Sequence, residues 1–96
     1  MDIKIEERLV GGITVLDVVG RLSMDKAPEL LKDKINSLIA QQRTQLVLNL
    51  KNVTHIDSGG LGQLVASYAA VRKTGGALKL VNAGSRHHDL LTITRL

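Results

Sequence analysis

Alternating apolar and polar residues near the amino terminus predict a β-hairpin. Ile3 and Ile5 alternate with charged residues, and residues 13–19 beyond Gly11-Gly12 are rich in β-branched side chains. A period of two is typical of strands with one buried face. Paired glycines accept the positive φ angles that tight hairpin turns require. We therefore predict two strands joined at Gly11-Gly12.

An amphipathic helix is predicted to follow the hairpin. Asp25 is a suitable N-cap, and Pro28 is tolerated in a first helical turn. The helix is therefore expected to begin near Lys26 and to end near Gln42. Its apolar residues recur at helical spacing and predict one buried face, made of Ala27, Leu31, Ile35, Leu38 and Ile39.

The second half of the chain alternates between strand and helix patterns. Residues 46–50 are almost continuously apolar, as in a strand covered on both faces, and residues 78–81 form a second apolar run. A strand-helix-strand unit takes a right-handed crossover, so these two strands are predicted to be parallel. The helix between them is expected to end at Gly75-Gly76 and to bury Leu61, Leu64, Val65, Tyr68 and Ala69.

A last short helix is predicted from Arg86 onward, with Leu90, Leu91 and Ile93 as its apolar positions. Together the elements predict one domain over residues 1–96. Its fold class is α/β, with helices packed on a mixed sheet of about four strands.

Composition limits where the protein works. The chain has no cysteine, which excludes disulfides and thiolate metal sites and fits a reducing compartment, so the cytoplasm is the expected location. The amino terminus lacks the basic-then-apolar pattern of a signal peptide. The longest uncharged run, residues 58–71, is too short and too polar to span a bilayer, so we expect no membrane association.

The charge of the chain is uneven. Residues 34–96 contain eight Lys or Arg but two acids. A basic half can indicate nucleic acid or an acidic protein partner. Proteins that bind single strands use aromatic stacking platforms, whereas Tyr68 is the only aromatic residue here. We therefore expect no nucleic-acid binding.

Candidate chemistry is concentrated at Asp57-Ser58-Gly59-Gly60, where the strand pattern stops and a helical pattern begins. A Ser58 hydroxyl at this junction would lie among the unpaired N–H groups that open a helix. Helix N-cap is the simplest role for such a serine. Capping does not explain three glycines in the next four positions, because each disfavours a helix start by about 0.5–1 kcal/mol. The glycines predict a bare backbone that another protein's active site can approach.

Other chemistry at these residues is disfavoured. The segment Asp57-Ser58-Gly59-Gly60 is similar to the nucleophile segment of chymotrypsin-like proteases, but that fold needs two β-barrels and a much longer chain. The glycines match neither a dinucleotide-binding nor a P-loop pattern, although an anion at the helix start stays reasonable. His87-His88 has no cysteine or clustered carboxylate beside it. His55 is expected to be partly buried and hydrogen-bonded. No catalytic residue, metal or cofactor is predicted.

The segment around Ser58 resembles the signature of STAS domains of the bacterial anti-sigma-factor antagonist family. The resemblance is carried by residues 46–62, LVLNLKNVTHIDSGGLG. It extends over nearly the whole chain, through Gly11-Gly12, Gly20-Arg21-Leu22, Ala27-Pro28-Glu29-Leu30, Gly75-Gly76-Ala77-Leu78 and Leu90-Leu91.

The resemblance implies that Ser58 is a phosphoacceptor and that the domain is a switch rather than an enzyme. In the implied cycle, the unphosphorylated domain binds a serine-kinase anti-sigma factor and so frees a sigma factor. The kinase then phosphorylates the serine with ATP, and a PP2C-type phosphatase resets it. The resemblance also implies partner contacts at Asp57, Gly59, Gly60, Leu61, Gly62, Met24 and Asp25.

Two departures from the family pattern modify this expectation. Family members usually carry Ser or Thr where this chain has Gly59, so the helix opening is expected to be looser. They also usually continue past the equivalent of Leu96 into another strand and a closing helix. Without these elements a helix face and a sheet edge would be uncovered. We therefore expect a carboxyl-terminally short domain, either as a truncated chain or as a homodimer through that side.

Two other functions stay open at this point. One is a STAS adaptor subunit of a transport or stress-sensing complex, in which Ser58 need not be modified. The other is a nucleotide or anion sensor that uses the helix N-terminus. The single-domain length and the intact Asp57-Ser58 favour the phosphorylated antagonist.

Overall fold

The described part of the chain begins with two strands, after which helices and strands alternate. A computed structural model describes residues 3–22 and 26–82. The predicted helix from Arg86 lies outside the described residues. In chain order the elements are β1 (Ile3–Val10), β2 (Ile13–Leu22), α1 (Ala27–Ala40), β3 (Gln45–Ile56), α2 (Ser58–Lys73) and β4 (Ala77–Val81).

The strands of residues 3–22 and 26–82 form one mixed sheet in the order β1-β2-β3-β4. β1 and β2 are antiparallel on either side of Gly11-Gly12, whose φ angles are 52° and 83°. β2 pairs with β3, and β3 with β4, in parallel. The predicted hairpin, the parallel pairing and the α/β mixed-sheet class are therefore confirmed.

The core lies between one face of the sheet and the two helices. Alternate residues of β3 point into it, because successive side chains of a strand face opposite sides. Full burial of a leucine side chain contributes about 1.5–3 kcal/mol, so this layer dominates the stability of the fold. The largest fully buried side chains are Leu16, Leu22, Leu31, Ile35, Leu38, Leu48, Leu50 and Leu64. The buried face predicted for α1 is confirmed at Ala27, Leu31, Ile35 and Leu38, with Ile39 half-buried against the core.

The start of α1 lacks the predicted cap. The helix begins at Ala27, close to the expected residue, but its N-cap residue is Lys26, which makes no side-chain cap hydrogen bond. The prediction that Asp25 is the N-cap is therefore wrong. Asp25 itself lies outside the described residues.

β3 is longer than its apolar run predicts. It continues from residue 50 through polar positions to Ile56 because β2 pairs with it along that length. The parallel register shifts between Asp17 and Val19 and again between Gly20 and Arg21. Such irregularities increase local twist and change the direction in which a strand ends. The extended β3 brings the chain directly to the start of α2.

The face that α2 buries differs from the predicted one. Val65 is 41% exposed and Ala69 is also exposed, so the prediction for these two residues is wrong. Leu64 is buried as predicted, and Leu61 and Tyr68 are half-buried against the core. The buried positions of the helix are Gly60, Leu64, Ser67 and Val71. Two of these have small side chains, which let the helix approach its neighbours closely.

Candidate functional site

Ser58 is the first residue of α2 and follows β3 after a single intervening residue. β3 ends at Ile56, and Asp57 has an extended backbone with φ −102° and ψ −174°. Ser58 is exposed. Within residues 3–22 and 26–82, no group forms a hydrogen bond with its hydroxyl. The oxygen is therefore accessible to the active site of another protein.

Asp57 caps α2. One of its carboxylate oxygens accepts the N–H of Gly60 at 2.9 Å, and its carbonyl oxygen accepts the N–H of Leu61 at 2.8 Å. The simplest role proposed for Ser58, that of N-cap, is therefore wrong, because the extended residue that precedes the helix is Asp57. A carboxylate at this end also interacts favourably with the helix dipole. The aspartate thus satisfies the backbone and leaves the serine hydroxyl available.

The three glycines after Ser58 have different environments. Gly59 and Gly62 are exposed, and a Cβ added at Gly62 would meet no heavy atom within 4 Å. Gly60 is buried, and a Cβ there would lie 2.0 Å from the carbonyl oxygen of Leu22. Gly59 and Gly62 therefore leave backbone uncovered, as the sequence predicts. Gly60 instead permits close packing of α2 on the end of β2, which the sequence analysis did not anticipate.

The structure groups most of the predicted partner-binding residues around Ser58. Asp57, Gly59 and Gly62 lie on the first turns of α2 with it, whereas Gly60 is buried beneath them. Leu61 is half-buried and packs against the core. The other two predicted contacts, Met24 and Asp25, lie outside the described residues. Partner binding by these residues stays a prediction.

Two basic side chains border this end of the sheet. Arg21 of β2 and His55 of β3 are register partners, and both are exposed. The prediction that His55 is partly buried is wrong, although its Nδ1 lies 3.1 Å from Oγ1 of Thr54. Oγ1 of Thr54 in turn donates to the carbonyl of Gly20 at 3.3 Å. Sequence reasoning missed Arg21 because only the pairing of β2 with β3 places it here.

Two carboxylates with lowered pKa values, Glu7 and Asp17, lie on β1 and β2. Hydrogen bonds from the Arg8 guanidinium, and then from the Asn49 amide, lower the pKa of Asp17. Hydrogen bonds from Lys34, and then from Arg43, lower the pKa of Glu7. These groups join strands to each other and to α1, so their role is structural.

The described residues contain neither a candidate metal site nor a helix that could cross a membrane. Residues 3–22 and 26–82 contain no group of three or more His, Cys, Asp or Glu side chains that could hold a metal ion. No helix in the same residues is long and apolar enough to cross a bilayer. His87 and His88 lie outside this part of the chain.

The described residues form a mixed four-stranded sheet with two helices, and an exposed serine opens the second helix. The family model described as STAS domain matches residues 4–96. The chain therefore belongs to the STAS domain family.

The chain is similar to three proteins that are named as anti-sigma factor antagonists. The anti-sigma-B factor antagonist of Bacillus subtilis (strain 168) is 38% identical over 81 residues, which cover 84% of this chain and 72% of that protein. The anti-sigma F factor antagonist of Paenibacillus polymyxa is 25% identical over 96 residues, which cover 100% of this chain and 82% of that protein. The crystal structure of an anti-sigma factor antagonist from Mycobacterium paratuberculosis has a TM-score of 0.84 and 26% identity, and covers 98% of this chain and 79% of that one.

Proposed function

We propose that this protein is an anti-sigma factor antagonist whose binding is switched by phosphorylation of Ser58. The observation that carries the proposal is the exposed hydroxyl of Ser58, left free by the Asp57 cap, in a chain whose relatives are named as anti-sigma factor antagonists. In the proposed cycle the domain has no catalytic residue of its own. Its partner is an anti-sigma factor with serine kinase activity, a PP2C-type phosphatase reverses the modification, and both act in the cytoplasm.

For phosphoryl transfer to Ser58, this chain has to supply only an accessible hydroxyl oxygen. The γ-phosphoryl group passes from ATP to Oγ of Ser58, the hydroxyl proton goes to a base of the kinase, and ADP is released. Exposed backbone at Gly59 and Gly62 supports close approach of the kinase active site. The hydrogen bond that the Asp57 carboxylate accepts from the N–H of Gly60 does not involve the Ser58 hydroxyl, so transfer to that hydroxyl does not require this bond to break.

The phosphate switches binding through charge. It adds about −1.5 to −2 charges next to the Asp57 carboxylate, on a surface fitted for contact with a partner. Burying that charge in the interface would cost several kcal/mol, and about 1.4 kcal/mol corresponds to a tenfold change in affinity. The N–H groups at the start of α2 favour a nearby anion, so the domain itself tolerates the modification. No change of fold is required.

Incubation with the cognate anti-sigma factor and ATP labelled at the γ-phosphate tests the proposal. The wild-type chain is expected to become labelled, and Ser58→Ala is expected to stay unlabelled. Ser37→Ala is the matched control, because Ser37 is an exposed serine on α1. Label that persists in Ser58→Ala would exclude Ser58 as the acceptor. Absence of both label and complex with the wild-type chain would indicate an adaptor subunit instead.

Ser58→Asp tests the charge mechanism separately. Its carboxylate places one negative charge at the proposed phosphate position, so the affinity for the anti-sigma factor is expected to fall at least about tenfold. Isothermal titration calorimetry with Ser58→Ala as the uncharged control provides the measurement. Equal affinities for the two variants would contradict an electrostatic switch.

A further inference from the structure

A groove of about 200 Å³ separates α1 from α2 on the outside of the domain. It exists because α2 presents the small side chains of Ala66, Ser67 and Ala70 to α1. Ile35 of α1 is buried at its base. The groove is thus an opening between two packed helices and not a defect in the core.

Polar side chains line this groove in two facing pairs. Lys32 and Asn36 lie one turn apart on α1, and Gln63 and Ser67 lie one turn apart on α2. The amide of Gln63 donates to Oγ of the buried Ser67 at 3.0 Å, which fixes both side chains. Residues four apart on a helix share a face, so each pair presents its polar groups to the same opening.

The groove is rich in donors and contains no acid. Lys32 forms no ion pair with any residue of the described ranges 3–22 and 26–82. The neighbouring acids of α1, Glu29 and Asp33, are not among the lining residues. An ammonium group provides up to three donors and the Asn36 amide up to two, and a carboxylate accepts from both. The chemistry of the groove therefore fits a carboxylate.

The surface between Ser58 and the groove is exposed and uncharged. Residues 58–71 contain no charged side chain, and the exposed residues Gly62 and Val65 lie on α2 beside Ser58, next to the exposed Ala66 of the groove. A helix rises about 1.5 Å and turns about 100° per residue, so Gln63 lies about 7.5 Å along α2 and about 140° around it from Ser58. A standard interface covers about 800 Å² per partner and easily spans this distance. An interface centre is depleted in charge, as this surface is.

We propose that the anti-sigma factor kinase docks along α2 from Ser58 and inserts an acidic side chain between Lys32 and Asn36 in the groove. This inference rests on the proposed function, because it assigns the surface to the same partner. The uncharged face of α2 provides the contact area, while the buried carboxylate fixes the register in which Ser58 meets the kinase active site. The positive charge of Lys32 favours an acidic side chain of the partner in the groove over a basic or neutral one.

Calorimetric titration of the cognate kinase into the unphosphorylated chain tests the inference. Lys32→Gln is expected to weaken the complex about tenfold, the effect of losing one charge-assisted hydrogen bond, and Lys32→Glu is expected to weaken it further. Lys51→Gln is the matched control, since it makes the same charge change at an exposed position on β3. It is expected to change the affinity less than about twofold. Urea unfolding of each variant establishes that all three remain folded.

The outcomes separate the inference from the function on which it rests. Equal affinities of Lys32→Gln and Lys51→Gln, with Ser58 still labelled by the kinase, would overturn the docking groove alone. Absence of any complex with the wild-type chain would overturn both. Amide chemical shifts that move around Lys32 and Ser67 on titration with acetate, without an effect of Lys32→Gln on the kinase, would assign the groove to a small anion. That result would also overturn the proposal.

Discussion

Replacing Gly60 with alanine tests how the Ser58 segment is held against the sheet. A Cβ at this position would lie 2.0 Å from the carbonyl oxygen of Leu22 and 2.9 Å from its carbonyl carbon. Ordinary contacts of a Cβ begin at 3.4 Å, so the helix start and the end of β2 must separate by about 1.4 Å. Both obstructing atoms belong to the backbone, and a side-chain rotation therefore cannot relieve the overlap.

The expected cost follows from this overlap. Overpacking of a well-packed interior costs about 1–3 kcal/mol, which exceeds the gain of about 1 kcal/mol that alanine has over glycine in a helix. The overlap involves backbone atoms, which places the cost at the upper end of this range, so after subtraction of the helix gain we expect Gly60→Ala to lower the free energy of unfolding by about 2 kcal/mol. For a domain of this size each kcal/mol corresponds to about 4–8 °C in Tm. The displaced helix start should also slow phosphorylation of Ser58, because catalysis requires precise positioning of the nucleophile.

Gly62→Ala is the matched control. It makes the same chemical change two residues along α2, where an added Cβ meets no heavy atom within 4 Å. This variant is expected to be more stable than wild type by about 0.5–1 kcal/mol. Urea unfolding followed by circular dichroism gives the midpoint and the slope of both variants. If Gly60→Ala were as stable as Gly62→Ala at unchanged slope, the contact between α2 and β2 would not determine the position of Ser58.

Substitutions of Asp57 and Glu7 test the cap and the ion pairs. Asp57→Ala removes the acceptor of the Gly60 N–H and is expected to lower the free energy of unfolding by about 0.5–2 kcal/mol. Asp57→Asn should retain most of the stability, because its amide oxygen can also accept that N–H. If thermal unfolding showed the same loss of stability for both variants, the Asp57 cap would be contradicted. Lys34 and Arg43 lower the pKa of Glu7 below its usual 4.5, so its stabilisation is present above that pH and is lost as the pH falls toward the folded-state pKa. Between about pH 6 and pH 3, the free energy of unfolding from urea titrations should therefore fall less for Glu7→Gln than for wild type. The expected difference is about 0.2–1 kcal/mol per ion pair. An equal pH dependence in the two proteins would exclude a stabilising role for the Glu7 ion pairs.

Local sequence patterns predict most of the elements because they reflect local energetics. The positive φ angles of Gly11-Gly12 and the apolar spacing of α1 are properties of short segments, and both predictions are confirmed. The length of β3 is not local. Its carboxyl half, residues 51–56, is polar except for Val53 and Ile56, and it is extended because β2 supplies hydrogen-bond partners along it. No pattern within that segment indicates such pairing.

At the candidate site, the sequence predicts where the hydroxyl lies but not which residue caps the helix. Both Asp57 and Ser58 are good cap residues, so the residue types alone cannot separate them. The structure assigns the cap to Asp57 because its backbone is extended and Ser58 is already helical. Arg21 and His55 become neighbours only through strand register.

The sequence by itself determined that a helix begins at the Asp57-Ser58 junction and ends before Gly75-Gly76, because helical spacing and terminal signals act within a single segment. Only the tertiary structure decided which face of that helix is buried. The apolar pattern predicts burial of Val65 and Ala69, yet both are exposed, while Gly60 and Ser67 are buried. Close packing on the carbonyl of Leu22 requires small residues at the contact, and periodicity in hydrophobicity does not record steric fit.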